Sequence, residues 1–156
     1  MSQLQRLLLG GRGIVSVERL LSGLSLDLAR RPLEGLPYTL YDLLWHIEFC
    51  QRQLLLTLGG EEVSWPPAAG QWPQTVPDEE EFADVLEALK AGLYEASELA
   101  NDAALDPRSG ALGAQEGADL ETLADLAVHS AYHWGQVVLL RRLLGAWPPE
   151  ESGTLA

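Results

Sequence analysis

At 156 residues, 47% apolar and 21% charged, the chain has the size and composition of one soluble globular domain spanning 1–156, able to bury a core without disulfides or a structural metal. Ten Lys and Arg against 23 Asp and Glu leave a formal charge of −13, a field that repels phosphate backbones and anionic lipid, so neither nucleic acid nor a membrane is an expected partner. A single cysteine, Cys50, precludes an intrachain disulfide, the start MSQLQRLLLGG lacks the marks of a secretory leader, and no apolar run approaches the ~18 residues of a membrane span, so a cytoplasmic protein is expected.

Residues 2 to 9 can make two helical turns, stopped by Gly10, Gly11 and Gly13. Ser16 then caps a short helix carrying Val17, Leu20, Leu21 and Leu24, and Ser25 caps another reaching Arg30, so the first helical element is broken. After the linker residues Pro32, Gly35 and Pro37, a long helix runs from Thr39 to Leu58. Its capping box pairs Thr39 with Asp42, and its apolar stripe is Leu40, Leu43, Leu44, Ile47, Cys50, Leu54 and Leu58. Residues 61 to 77 (EEVSWPPAAGQWPQTVP) contain too much proline for regular structure, yet Trp65 and Trp72 carry enough apolar area to pack that loop onto the helices. Asp78, with Glu81 three residues on, opens a third helix whose inward face is Phe82, Val85, Leu86, Leu89, Leu93, Ala96 and Leu99.

Residues 105 to 118, rich in Gly, Ala and Asp, read as a connection, with Asp119 capping the last helix and Gly145, Pro148 and Pro149 ending it. Leu123, Leu126, Ala127, Ser130, Trp134, Val137, Leu140 and Leu144 recur at three- and four-residue steps and form its buried stripe. No stretch alternates with period two. The expected fold is all-α: a four-helix bundle with a broken first helix and a long Trp/Pro-rich loop between helices 2 and 3.

The only three histidines all fall beside these stripes. His129 and His133 stand one turn apart on the last helix, and His46 lies on the edge of the second helix's stripe, so a three-histidine site with an open coordination position is one reading. The other is that each is an ordinary core-edge histidine bonded to a carbonyl or a water. Residue identity removes two neighbouring classes. In HSAYH, Ser130 stands where an HExxH metalloprotease needs glutamate, and Leu43, Leu126 and Ser130 stand where a di-iron or di-manganese bundle needs Glu-x-x-His. Around the trio, Cys50 is either a fourth ligand or reactive thiol, or a small buried hydrophobe. Trp45 and Trp134 are core residues or walls of a pocket, and Asp125 and Gln136 can each accept an imidazole's second N–H. The residues name no catalytic base.

His46 within TLYDLLWHIEFCQRQLL, followed by HSAYHWGQVVLLRRLLGAWPP, resembles the DinB-like superfamily of metal-binding four-helix bundles over residues 36 to 149. The SWPPAAGQWP loop is similar to one in a subset of that family, and the run H-x-x-x-H-x-G-Q ending in LLRRLLG is the most specific part. The resemblance implies that His46, His129 and His133 bind one divalent transition metal. Three imidazoles suit zinc, nickel, copper or iron, and zinc or nickel is the first expectation. Members often carry a second histidine before the final ligand and an arginine after it, where this chain has Tyr132 and Trp134. The resemblance further implies a homodimer and one of two activities. The first is a thiol S-transferase using bacillithiol or mycothiol as cosubstrate against small electrophiles. The second is a non-catalytic metal- or ligand-binding module of the stress response.

Overall fold

The computed structural model describes residues 2–11, 13–102 and 114–149. They form an all-helical structure: α1 (Gln3–Leu9), α2 (Val17–Leu21), α3 (Leu26–Ala29), α4 (Leu40–Leu58), α5 (Glu79–Asp102) and α6 (Ala114–Leu143), with a 3₁₀ turn at Ala68–Gln71. Among the described residues the nearest thing to a strand is an isolated bridge between Gly11 and Ile14. Among the described residues no helix is long and apolar enough to cross a membrane.

The starts expected at Ser16, Ser25, Thr39 and Asp78 are observed. Ser2, Ser16, Ser25 and Thr39 each accept a hydrogen bond from the backbone N–H three residues on, satisfying a donor that the first turn leaves orphaned. Thr39 and Asp42 complete a reciprocal capping box, and Asp78 and Glu81 make the same exchange before α5. At the end of α6 the chain turns at Gly145, whose φ of 72° suits glycine. There Gly145 N–H donates to Arg142 and Ala146 N–H to Arg141, the paired bonds of a Schellman stop.

Two expectations need correction. Asp119 is not the cap of the last helix but lies inside it, because Ala114, Gln115, Glu116 and Ala118 are good helix formers and a lone Gly117 costs only about 1 kcal/mol. Of the connection expected at 105 to 118, residues 105 to 113 lie outside the described residues and 114 to 118 are helical. On α5, Leu99 is exposed and Ala100 is buried in its stead, since the buried set Leu89, Leu93, Ala96 and Ala100 follows the helical phase that Leu99 leaves by one residue.

The core joins residues of all six helices. α4 packs on both α5 and α6, and α1 packs on the same two from the other side, while α5 and α6 touch each other little. α4 is the central element: Leu40, Leu43, Leu44 and Ile47 are fully enclosed, and burial extends without interruption from Leu43 to Gln51 apart from Trp45. Its seat on α5 depends on Gly92, where a Cβ would come within 2.1 Å of Gln51 Nε2. With that space open, Gln51 donates to the carbonyls of Ala88 and Leu89. The α4–α6 contact brings the two histidine-bearing segments together.

Candidate metal centre

His46 projects from the second turn of α4 and His129 and His133 from the middle of α6, so the packing of those two helices decides whether the three rings meet. They do. One ligand nitrogen from each ring lies within 4.8 Å of the other two, and the ring centroids stand 4.4 to 5.4 Å apart. His46 and His133 are buried and His129 is half-buried.

Hydrogen bonds occupy one nitrogen on each of two rings. His46 Nδ1 is 2.8 Å from the Gln71 backbone carbonyl, and His133 Nδ1 is 2.7 Å from Gln136 Oε1. A carbonyl oxygen only accepts, so each Nδ1 carries the proton and each Nε2 keeps its lone pair free. Carbonyl partners of this kind orient and polarise metal-bound histidines. Electrostatics point the same way: burial, then the neighbouring His133 and His46, lowers the His129 pKa to about 4. Burial also lowers that of His133, against an opposing contribution from the Gln136 bond. Both shifts favour the neutral form of the two α6 imidazoles, the form that ligates metal. The donor set fits a first-row divalent ion, since three imidazoles supply nitrogen ligands and leave coordination positions for an exogenous group.

The surrounding residues divide. Gln136 performs the orienting role read from its spacing. Cys50 Sγ lies 3.8 to 3.9 Å from the two ring nitrogens of His46; burial pushes its pKa up to about 11, so without a metal it is a thiol packed against that ring, and it stands outside the cluster of ligand atoms that the three histidines form. Asp125 is exposed and hydrogen-bonds to neither α6 imidazole. Trp45 stacks on Phe49 at 5.4 Å, and Trp134 is buried with its indole N–H unpartnered among the described residues. Neither tryptophan stacks on the histidines.

The aromatic wall comes instead from the loop. Trp72 lies flat on His46, centroids 4.3 Å apart and planes within 7°, and stacks in turn with Tyr38 at 5.3 Å. It also lines a cleft of about 460 Å³ with Pro37, Tyr38, Asp42 and Pro73. Trp65, the loop's other tryptophan, meets Phe49 edge-on, and Tyr132 meets His133 edge-on at 4.9 Å. The sequence places Trp72 in an ordered loop without specifying its target. The Gln71 carbonyl, a backbone group, carries no sequence signal at all.

Compared with family models, curated proteins and solved structures, the chain matches none.

Proposed function

We propose that this chain is a DinB-like four-helix bundle that holds one divalent transition metal, zinc or nickel first, on His46, His129 and His133, and that it acts as a low-molecular-weight-thiol S-transferase on small electrophiles. The observation that carries the metal reading is the convergence of three imidazoles from two helices, two of them locked by carbonyls in the tautomer that frees Nε2. The cyclic packing of α1, α5, α4 and α6 supports the bundle, and the residues that carry the family resemblance are those that converge.

The chain's own residues divide the work. Gln71 and Gln136 hold two rings in register, and burial keeps the α6 imidazoles unprotonated so that no proton need leave them before a ligand binds. Trp72 covers His46 and limits water on that side. A divalent ion held by His46, His129 and His133 would supply Lewis acidity, which lowers the pKa of a thiol bound beside it.

One observation favours the second reading, a module that sequesters metal or a ligand in the stress response without turnover. Among the described residues no general base is hydrogen-bonded to the trio, and Cys50 is held as a thiol. The deciding experiment loads tag-free protein with zinc or nickel and offers bacillithiol or mycothiol with a model electrophile. Conjugate formation at least tenfold above metal-free protein, abolished in His129→Ala, supports the transferase. Stoichiometric metal with background rates across the panel leaves the binding module, and no metal at micromolar concentration removes both.

A further inference from the structure

Glu48, Gln51 and Leu55 stand about half a turn round α4 from His46 and open on a second cleft, of about 420 Å³, between α4 and α5. Along it the two helices run parallel: Tyr41 meets Phe82 near their starts, and Gln51 bonds to the α5 carbonyls of Ala88 and Leu89 further on. The small residues Ala88, Ala91 and Gly92 make room for the cleft, and Leu55 and Leu56 give it an apolar wall. Its volume is that of a small-molecule site.

Two of its features exceed what packing needs. Gln51 is only 3% exposed, its Nε2 is spent on two α5 carbonyls, and its Oε1 accepts from no group among the described residues. A buried carbonyl oxygen without a donor is costly and rare in folded proteins, so the lining holds an acceptor that the fold itself does not use. The second feature is charge. Glu48, Glu61 and Glu95 line the cleft against one guanidinium, and that one, Arg52, is paired with Glu48 at 3.0 Å. The charges of Glu61 and Glu95 are left over. Glu61 is held at the end of α4, where its N–H donates to the Leu56 carbonyl and the negative end of the helix dipole adds to its field.

The spread of these acceptors indicates the ligand. A bare metal ion does not suit them, because among the described residues only the histidine trio gathers three or more ligating side chains about one point. Glu48 and Gln51 stand toward one end of the cleft and Glu61 and Glu95 toward the other, while the helical rise from Ala88 to Glu95 alone is about 10 Å. Between the ends the lining is apolar. We propose that the cleft binds a linear alkyl polyamine, one ammonium group donating to Gln51 Oε1 and Glu48, the methylenes lying along Leu55 and Ala91, and another ammonium between Glu61 and Glu95. Charge-assisted N–H···O bonds hold such a cation at both ends, and the −13 field of the chain draws it in. The site is separate from the histidines and stands whether or not they bind metal.

Calorimetric titration of the chelator-treated full chain with spermidine, at about 0.15 M salt so that loose surface charge is screened, tests it. One saturable equivalent is expected, not displaced by excess magnesium and not reproduced by octane-1,8-diol, which has an alkyl chain without the charges. Ala91→Leu, which fills the cleft from an exposed position, and Glu61→Gln combined with Glu95→Gln are each expected to weaken binding about tenfold or more with unchanged helical circular dichroism, whereas His129→Ala leaves it as in wild type. No saturable binding below millimolar spermidine, an affinity indifferent to both cleft variants, or equal binding of the diol would overturn the proposal. So would displacement by magnesium, the mark of a diffuse counterion layer, or loss of binding in His129→Ala, which would put the amine at the histidines.

Discussion

The properties of the candidate centre depend on which nitrogen of each imidazole carries the proton, and two carbonyl oxygens fix that choice. Gln136 is the more readily tested. Gln136→Leu keeps the volume and removes the acceptor, freeing the His133 ring to rotate or to change tautomer. Metal affinity is expected to fall about 10- to 100-fold, the usual cost of losing such a partner, with the fold intact by circular dichroism; unchanged affinity by calorimetric titration would show that the ring is held by packing alone. His129 makes a pH prediction. Its folded pKa of about 4 lies below the ordinary 6.5, so the unfolded chain takes up a proton first as pH falls. Stability from this group is complete above pH 6.5 and is lost progressively down to about pH 4, with His133 contributing in the same sense. Urea midpoints of metal-free wild type and His129→Gln should therefore run parallel above pH 7, with the wild type losing ground to the variant below pH 6.5.

Helical elements were the most legible part of the chain, because caps and periodicity are local signals. Ser16, Ser25, Thr39 and Asp78 mark four starts, and the α6 stripe from Leu123 to Leu140 is buried throughout. What pattern could not show is Arg141, a charge only 1% exposed beside that stripe. It is tolerated because its guanidinium donates to three carbonyls: Nε to Ala146 at 3.1 Å, and its terminal nitrogens to Leu20 at 2.6 Å and Ser22 at 2.8 Å. Trp147 lies under it at 5.4 Å. One side chain thus ties the end of α6 to the end of α2, where carbonyls are left over by the helix and the dipole favours a cation. Arg141→Met retains much of the apolar stem and strands those acceptors. A loss of about 3 kcal/mol is expected, seen as a fall of about 10 °C in Tm; a melt within 2 °C of wild type would mean that water replaces the guanidinium without penalty.

At the scale of the whole molecule, the sequence indicated that three histidines lie inside an all-helical fold, but only packing shows that residues on α4 and α6 face one another. The Pro-rich loop was less legible still: Trp72 belongs to no periodic pattern, and its stacking on His46 depends on where the 3₁₀ turn delivers it. This long-range assembly has an energetic consequence. The centre joins α4, the Gln71 turn and α6, and those contacts exist only when the chain is folded. An ion that binds the folded state alone stabilises it by RT ln(1 + [M]/Kd), about 4 kcal/mol at a free concentration 1,000 times Kd. For a domain of this size that corresponds to a Tm about 8 to 16 °C above the chelated protein. His46→Ala should abolish the difference between its own loaded and chelated melts, while the chelated melt itself falls below that of wild type because a buried ring stacked on Trp72 is lost. Coincident melts for loaded and chelated wild-type protein would mean that the three imidazoles serve the fold without a metal.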